Sequence, residues 1–209
     1  MTSQHQPQGE TVRTSRPIEI VVLVSGTGSL LQAIIDAQDE NYRVVKVVAD
    51  VPCQGVERAK AAGIEAEVVT MGADRAEWNK RLVAAVEAAQ PDVVVSAGFM
   101  KILGADFLAC FEGRTINTHP ALLPSFKGAH GVRDALEYGV KVTGSTVHFV
   151  DAGVDTGRII AQEPVLVRQD DDEASLHERI KVVERQLIVK VLRAVQVAQD
   201  ANATISIQL

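Results

Sequence analysis

Cysteine is nearly absent: Cys53 and Cys110 are the only two, far apart and in no Cys-x-x-Cys pair. That argues against a disulfide frame and a structural zinc, and it fits a reducing, cytoplasmic setting. Long basic runs are also missing. With 21 basic residues against 27 acidic ones and a net charge of −6, neither nucleic acid nor a membrane surface is an expected partner. Long apolar runs are missing too. The first one, Ile18 to Val24, is interrupted by Glu19 and is far too short to span a bilayer. The stretch before it, Met1 to Pro17, is rich in Gln, Ser, Thr and Pro and has no apolar signal core. Residues 1–17 are therefore expected to be a flexible tail. What is present is a 209-residue chain with 46% apolar residues, enough for one domain with a real core and no staples.

The apolar pattern alternates between strand-like and helix-like segments, which predicts an α/β fold on a mostly parallel sheet. Ile20–Val24, Val44–Ala49 and Val93–Ala97 are β-branched runs of the kind buried on both faces of such a sheet. Helices are expected at Leu30–Ala37, Val56–Ala62 (closed by Gly63), Glu77–Ala89 (stopped by Pro91), Ile102–Cys110 and Val132–Tyr138. Val68–Thr70 is a short strand at best, and Thr115–Thr118 a strand running into Pro120. Val142–Val150 reads as a half-exposed strand matched by Ile159–Val167, and Ala174 to about Gln199 as a long amphipathic helix. No linker or repeat interrupts the pattern. The fold class is α/β: a single-domain open, mostly parallel, Rossmann-like sheet, with helices on both faces and a mixed C-terminal part.

Two segments carry chemistry. In Ser25-Gly26-Thr27-Gly28-Ser29, a strand turns into a helix through two glycines. This geometry aims backbone N–H groups and a helix N-terminus at an anion. A dinucleotide site would want Gly or Ala where Leu31 stands, although Asp50 falls where a ribose-binding acid belongs. A nicotinamide enzyme or a nucleotide-binding module therefore stays open as an alternative.

The second segment is Asn117-Thr118-His119-Pro120. Residues two apart on a strand share a face, so Asn117 and His119 pair a carboxamide with an imidazole at a strand's C-terminal end. That is what a reaction on a carbonyl needs: a donor to the oxyanion and a group that supplies or moves a proton. Asp155, in Gly153-Val154-Asp155-Thr156-Gly157, is a turn residue that glycines allow close to a neighbour. Beside His119 it would favour the imidazolium.

At this point the chain closely resembles the phosphoribosylglycinamide formyltransferase family. The carrying segments are Val21 to Ser29, Ser96-Ala97-Gly98-Phe99-Met100-Lys101-Ile102-Leu103, Asn117 to Pro124 and Gly144 through Gly157. The resemblance implies one formyltransferase domain over residues 18–209, and transfer of a formyl group from 10-formyltetrahydrofolate to the amine of glycinamide ribonucleotide in purine biosynthesis, with no metal. It implies a catalytic set of Asn117, His119 and Asp155. It places glycinamide ribonucleotide on Gly28, Ser29 and Leu30, with Lys181 and Glu184 reaching it from the last helix. It places the folate on Met100, Lys101, Ile102 and Leu103, with Arg75 nearby and Asn117 between the substrates. His148 is expected to support the site without acting on the substrates, His130 could line it, and His177 belongs on a helix surface.

Plainer readings stand beside these. Met100, Ile102 and Leu103 fit helix core, and Arg75 fits a solvated helix start. Lys181 and Glu184 are spaced for a surface ion pair worth a few tenths of a kcal/mol. Two positions depart from the family pattern. Leu30 stands where Asn is usual, so contact there falls to its backbone N–H, and Lys101 stands where many members have Arg. Methionyl-tRNA formyltransferases share the Asn-x-His chemistry but carry a further C-terminal domain and a basic surface, neither of which this sequence is expected to supply. Oligomeric state is open, a homodimer included.

Overall fold

The computed structural model describes residues 16–197 and 205–209. In chain order the elements are β1 (Ile18–Val24), α1 (Ser29–Asp36), β2 (Tyr42–Ala49), α2 (Gln54–Ala61), β3 (Glu65–Val68), α3 (Arg75–Glu87), β4 (Val93–Ser96) and α4 (Ala105–Cys110). They continue with β5 (Thr115–His119), α5 (Gly131–Tyr138), β6 (Val142–Phe149), β7 (Ile159–Leu166), α6 (Glu173–Arg193), β8 (Val195–Val197) and β9 (Ile205–Ile207). The first seven strands form one sheet in the order β3-β2-β1-β4-β5-β6-β7. Pairing is parallel from β3 through β5 and antiparallel for β5–β6 and β6–β7, the mixed C-terminal part that the sequence pattern implies. Among the described residues no helix is long and apolar enough to cross a membrane.

The period-2 rule divides the core. From β1, Ile20, Val22 and Val24 join a layer under α1, α2 and α6, built with Leu31, Ile34, Val56 and Ile188. Val21 and Leu23 face the opposite layer, where Trp78 and Leu82 of α3 meet Phe107 of α4. Helices thus cover both faces, and the central strands are continuous apolar runs for that reason. The chain winds outward from β1 through β2 to β3, then returns to place β4 on the other side of β1. The reversal opens a crevice beyond the C-terminal ends of β1 and β4.

Several expectations need correction. The Ile102–Cys110 helix begins only at Ala105, so residues 100–103 are irregular backbone. The short strand lies at Glu65–Val68, earlier than Val68–Thr70. β6 is buried along almost its whole length rather than half-exposed, because it lies between β5 and β7 and α6 packs beside it. The last helix ends at Arg193, and Val195–Val197 pairs instead with Ile205–Ile207; the expected end near Gln199 lies outside the described residues. Residues 1–15 of the expected tail also lie outside them. Arg16, which the tail was expected to include, is tied down by a forked contact to Asp92 (2.7 and 3.0 Å).

Candidate active site

The turn after β1 is shaped by packing as well as by backbone freedom. Gly28 caps α1 in the left-handed region, φ 68°, and a Cβ there would lie 2.7 Å from the Cα of Gly55 at the start of α2. Turn and helix therefore interlock through two glycines. α1 starts without a side-chain cap and without an acid in its first turn, so its first N–H groups remain available to an anion. Gly28, Ser29 and Leu30 line one wall of a cleft of about 430 Å³. Leu30 is itself buried in the core, so only its backbone can serve a ligand.

Asn117 and His119 stand at the C-terminal end of β5, two apart on one face as the alternation requires, and both line this cleft. Antiparallel register sets Asn117 opposite His148, and the Asn117 amide reaches His148 Nε2 at 3.3 Å. His148 Nδ1 lies 2.8 Å from the Phe149 carbonyl and donates to it. An NH₂ group has two donors, so Asn117 keeps one for a substrate.

Asp155 comes from the β6–β7 connection, which is held by its own bonds. Asp151 accepts from the Gly153 amide (3.0 Å) and the Thr156 hydroxyl (2.6 Å), and any Cβ on Gly157 would lie 1.7 Å from the Phe149 carbonyl oxygen. Asp155 itself has φ 52°, a left-handed conformation that Asp tolerates better than most residues. Its Oδ2 accepts from the Gly128 amide (2.8 Å) and faces His119 Nδ1 at 3.4 Å, while Oδ1 faces His148 Nε2 at 3.6 Å. Burial pushes the Asp155 carboxyl up. The contact with His148, the Gly128 amide and the charge of His119 outweigh it, and the net direction is below the ordinary carboxylate range.

His119 is 4% exposed, and its other nitrogen lies 2.7 Å from the Phe126 carbonyl. A carbonyl only accepts, so Nε2 carries a proton. A second proton on Nδ1 would meet a carboxylate, whereas a bare Nδ1 would set a lone pair against one. The ring thus sits between two acceptors, the Phe126 carbonyl and the Asp155 carboxylate.

A second cleft, of about 270 Å³, adjoins the first and is lined by Met100, Lys101, Ile102 and Leu103. Met100 and Ile102 are 76% and 62% exposed, so neither is helix core; Leu103 is buried in the core and also lines the cleft. The segment is tethered by three groups. Ser25 Oγ accepts from the Met100 amide (2.8 Å), Lys101 Nζ lies 3.4 Å from Asp50, and Arg75 donates to the Ile102 carbonyl (2.8 Å). Arg75 thus meets the backbone of the segment without lining the cleft. Asp50, the residue that kept a dinucleotide site open, is 2% exposed, with Oδ2 facing Lys101 and Oδ1 buried without a hydrogen-bond partner.

On α6, Lys181 and Glu184 both line the first cleft, but they do not pair with each other: Lys181 bonds Glu178 (2.7 Å). Burial holds the Glu184 carboxyl above its ordinary range, offset in part by a hydrogen bond with Thr118 and by Arg185 and Lys181. His177 lines the same wall, where burial and then Lys181 lower its pKa. It is half-buried and faces the cleft. Positions 177, 181 and 184 share one helical face beside the apolar stripe of Leu176 and Ile180, a spacing already present in the sequence. His130 caps α5 and is exposed; it lines neither cleft.

Comparison with known proteins gives the family. Residues 18–192 match the formyl transferase family. A phosphoribosylglycinamide formyltransferase of Mycobacterium tuberculosis is 55% identical over 187 residues, covering 88% of this chain and 87% of the relative. The human trifunctional purine biosynthetic protein adenosine-3 is 41% identical over 182 residues, covering 84% of this chain and 18% of that protein. A crystal structure of glycinamide ribonucleotide transformylase 1 from Symbiobacterium toebii superposes with a TM-score of 0.85 at 35% identity, covering 97% of this chain and all of that one (100%). With its sheet, its Gly turn and its Asn-x-His strand end placed as described, the chain belongs to the formyl transferase family.

Proposed function

We propose that this enzyme transfers the formyl group of 10-formyltetrahydrofolate to the amine of glycinamide ribonucleotide, a step of de novo purine biosynthesis carried out in the cytoplasm. The observation that carries the reading is the meeting of two clefts along a shared wall that includes Asn117 and Asp155. One cleft offers an uncapped helix start for a phosphate, and the other a tethered irregular segment for a flat heterocycle. Two substrates seated in them would bring their reacting ends together at Asn117.

The Gly28–Leu30 backbone would hold the phosphate, while Lys181 and Glu184 reach the ribonucleotide from α6. Residues 100–103 would hold the folate, with Arg75 stiffening their backbone. The neutral amine attacks the formyl carbon and the C=O becomes a tetrahedral oxyanion. The free Asn117 N–H and the positive charge of His119 stabilise that oxyanion, an electrostatic contribution made in the transition state. As the oxyanion collapses, the bond from carbon to the folate nitrogen breaks, and the proton lost by the amine passes to that nitrogen. Asp155 orients the His119 ring through its Nδ1, 3.4 Å from Oδ2.

Mixing the protein with both substrates and following loss of the formyl-folate by absorbance tests the reading. Turnover with glycinamide ribonucleotide is expected. No turnover here, with turnover on charged initiator tRNA, would move the assignment to tRNA formylation. A saturable rise in melting temperature with micromolar NAD would reopen the dinucleotide reading.

A further inference from the structure

Phe126 is not accounted for by the substrate clefts, yet its carbonyl is the nearest partner of His119 Nε2, at 2.7 Å. Its backbone has φ 55°, a left-handed conformation that an aromatic residue without a polar side chain disfavours. Something must hold it there. The ring of Phe126 meets Tyr138 of α5 edge-on, centroids 5.9 Å apart and planes at 64°, a favoured aromatic geometry. Tyr138 is otherwise 80% exposed. Gly131, at the start of α5, completes the pocket: a Cβ there would lie 2.9 Å from the Phe126 carbonyl oxygen and 3.0 Å from His119 Nε2.

We propose that Phe126 and Tyr138 are positioning residues: their edge-to-face contact holds Phe126 in its left-handed conformation, so that its carbonyl fixes the His119 ring with Nε2–H donated and Nδ1 turned to Asp155. The two rings touch neither cleft's chemistry directly; they act through one main-chain oxygen. The inference rests on the formyl-transfer reading for its rate consequence, but not for its structural content. The charged and titratable groups around His119 are Asp155 and His148 from the sheet side, and His177, Lys181 and Glu184 of α6 across the cleft. None of them is altered by changing Tyr138.

The test is Tyr138→Ala with Tyr138→Phe as control, read by ¹⁵N NMR of the histidine rings and by steady-state kinetics. Exposure of Tyr138 makes both variants foldable. Tyr138→Ala is expected to weaken the Nε2–H hydrogen-bond signature of His119. The drop in kcat should be about 2- to 10-fold, the bias that one aromatic pair exerts, with KM for both substrates little changed. Tyr138→Phe, which keeps the ring contact, should restore both readouts. Unchanged His119 resonances in Tyr138→Ala would overturn the proposal, as would a loss that Tyr138→Phe fails to rescue. If the protein proves inactive in formyl transfer while the His119 resonances still respond, the positioning role stands and the functional reading is what falls.

Discussion

Replacing Asp155 with Asn probes the site most sharply. The substitution removes one charge and almost no volume, and Asn accepts a left-handed backbone as readily as Asp, so the φ of 52° is not a source of misfolding. The amide oxygen can keep the bond from the Gly128 amide, now accepted by Asp155 Oδ2 at 2.8 Å. The amide nitrogen then points N–H where a carboxylate oxygen faced a histidine. Across the 3.4 Å from His119 Nδ1 to Asp155 Oδ2, two unit charges interact by about 5 kcal/mol at an effective dielectric of about 20. At about 1.4 kcal/mol per tenfold, that gross figure caps the loss near three to four powers of ten. The predicted drop in kcat is therefore roughly 10²- to 10⁴-fold, with KM for both substrates nearly unchanged. His119→Asn should cost about as much, and the double variant far less than the product, because the pair acts as a unit. The assay is formyl transfer beside thermal melting of the same preparations. A folded Asp155→Asn enzyme within a few-fold of wild type would refute the reasoning and leave Asp155 as a turn former. The same carboxylate predicts an acid effect. Its pKa lies below the ordinary 3.8, so its contribution to stability is full above that value and lost as pH falls through the lower folded one. Melting curves of Asp155→Asn should accordingly be flatter below pH 4 than those of the wild type.

Glu184 carries the opposite sign. Its folded pKa is raised, chiefly by burial, so the folded state is favoured below the ordinary carboxylate pKa and penalised as pH rises through that range. Glu184→Gln should raise the melting temperature at pH 7 while weakening binding of glycinamide ribonucleotide by calorimetry; a lower melting temperature would show that the charged form is satisfied. The two glycines of the β1–α1 turn should separate as well. Gly28→Ala meets Gly55 at 2.7 Å and keeps φ at 68°, and at about 1–2 kcal/mol for the backbone alone it should lower the melting temperature by about 2–8 °C. Gly26, beside which a Cβ meets nothing within 4 Å, should tolerate Ala without loss of stability yet bind the ribonucleotide more weakly than the folate; equal weakening of both would place the phosphate elsewhere.

Much of this protein was legible locally. Buried parallel strands are mostly β-branched and apolar, as in Ile20–Val24 of β1, and Gly63 at φ 70° ends α2 as its position in the sequence implies. Asn117 and His119 share a face because the strand period is two. The limits came where local signals were silent. Residues 100–103 carry helix-compatible side chains, yet Ser25, Asp50 and Arg75 hold them as irregular backbone, and all three are far away in the chain. The last helix ends without glycine or proline, because pairing of Val195 with Ile207 takes over.

The sequence by itself determined the strand and helix alternation, the glycine turn and the residue types of the reacting set, since each depends on backbone period or on the steric freedom of one residue. Only the tertiary structure decided which of them meet. Register across β5 and β6 puts His148 opposite Asn117. The self-bonded connection after β6 brings Asp155 to His119, and the packing of α6 turns His177 into the cleft. These contacts form between residues distant in the chain, and their geometry is set by how layers pack, which no local pattern encodes.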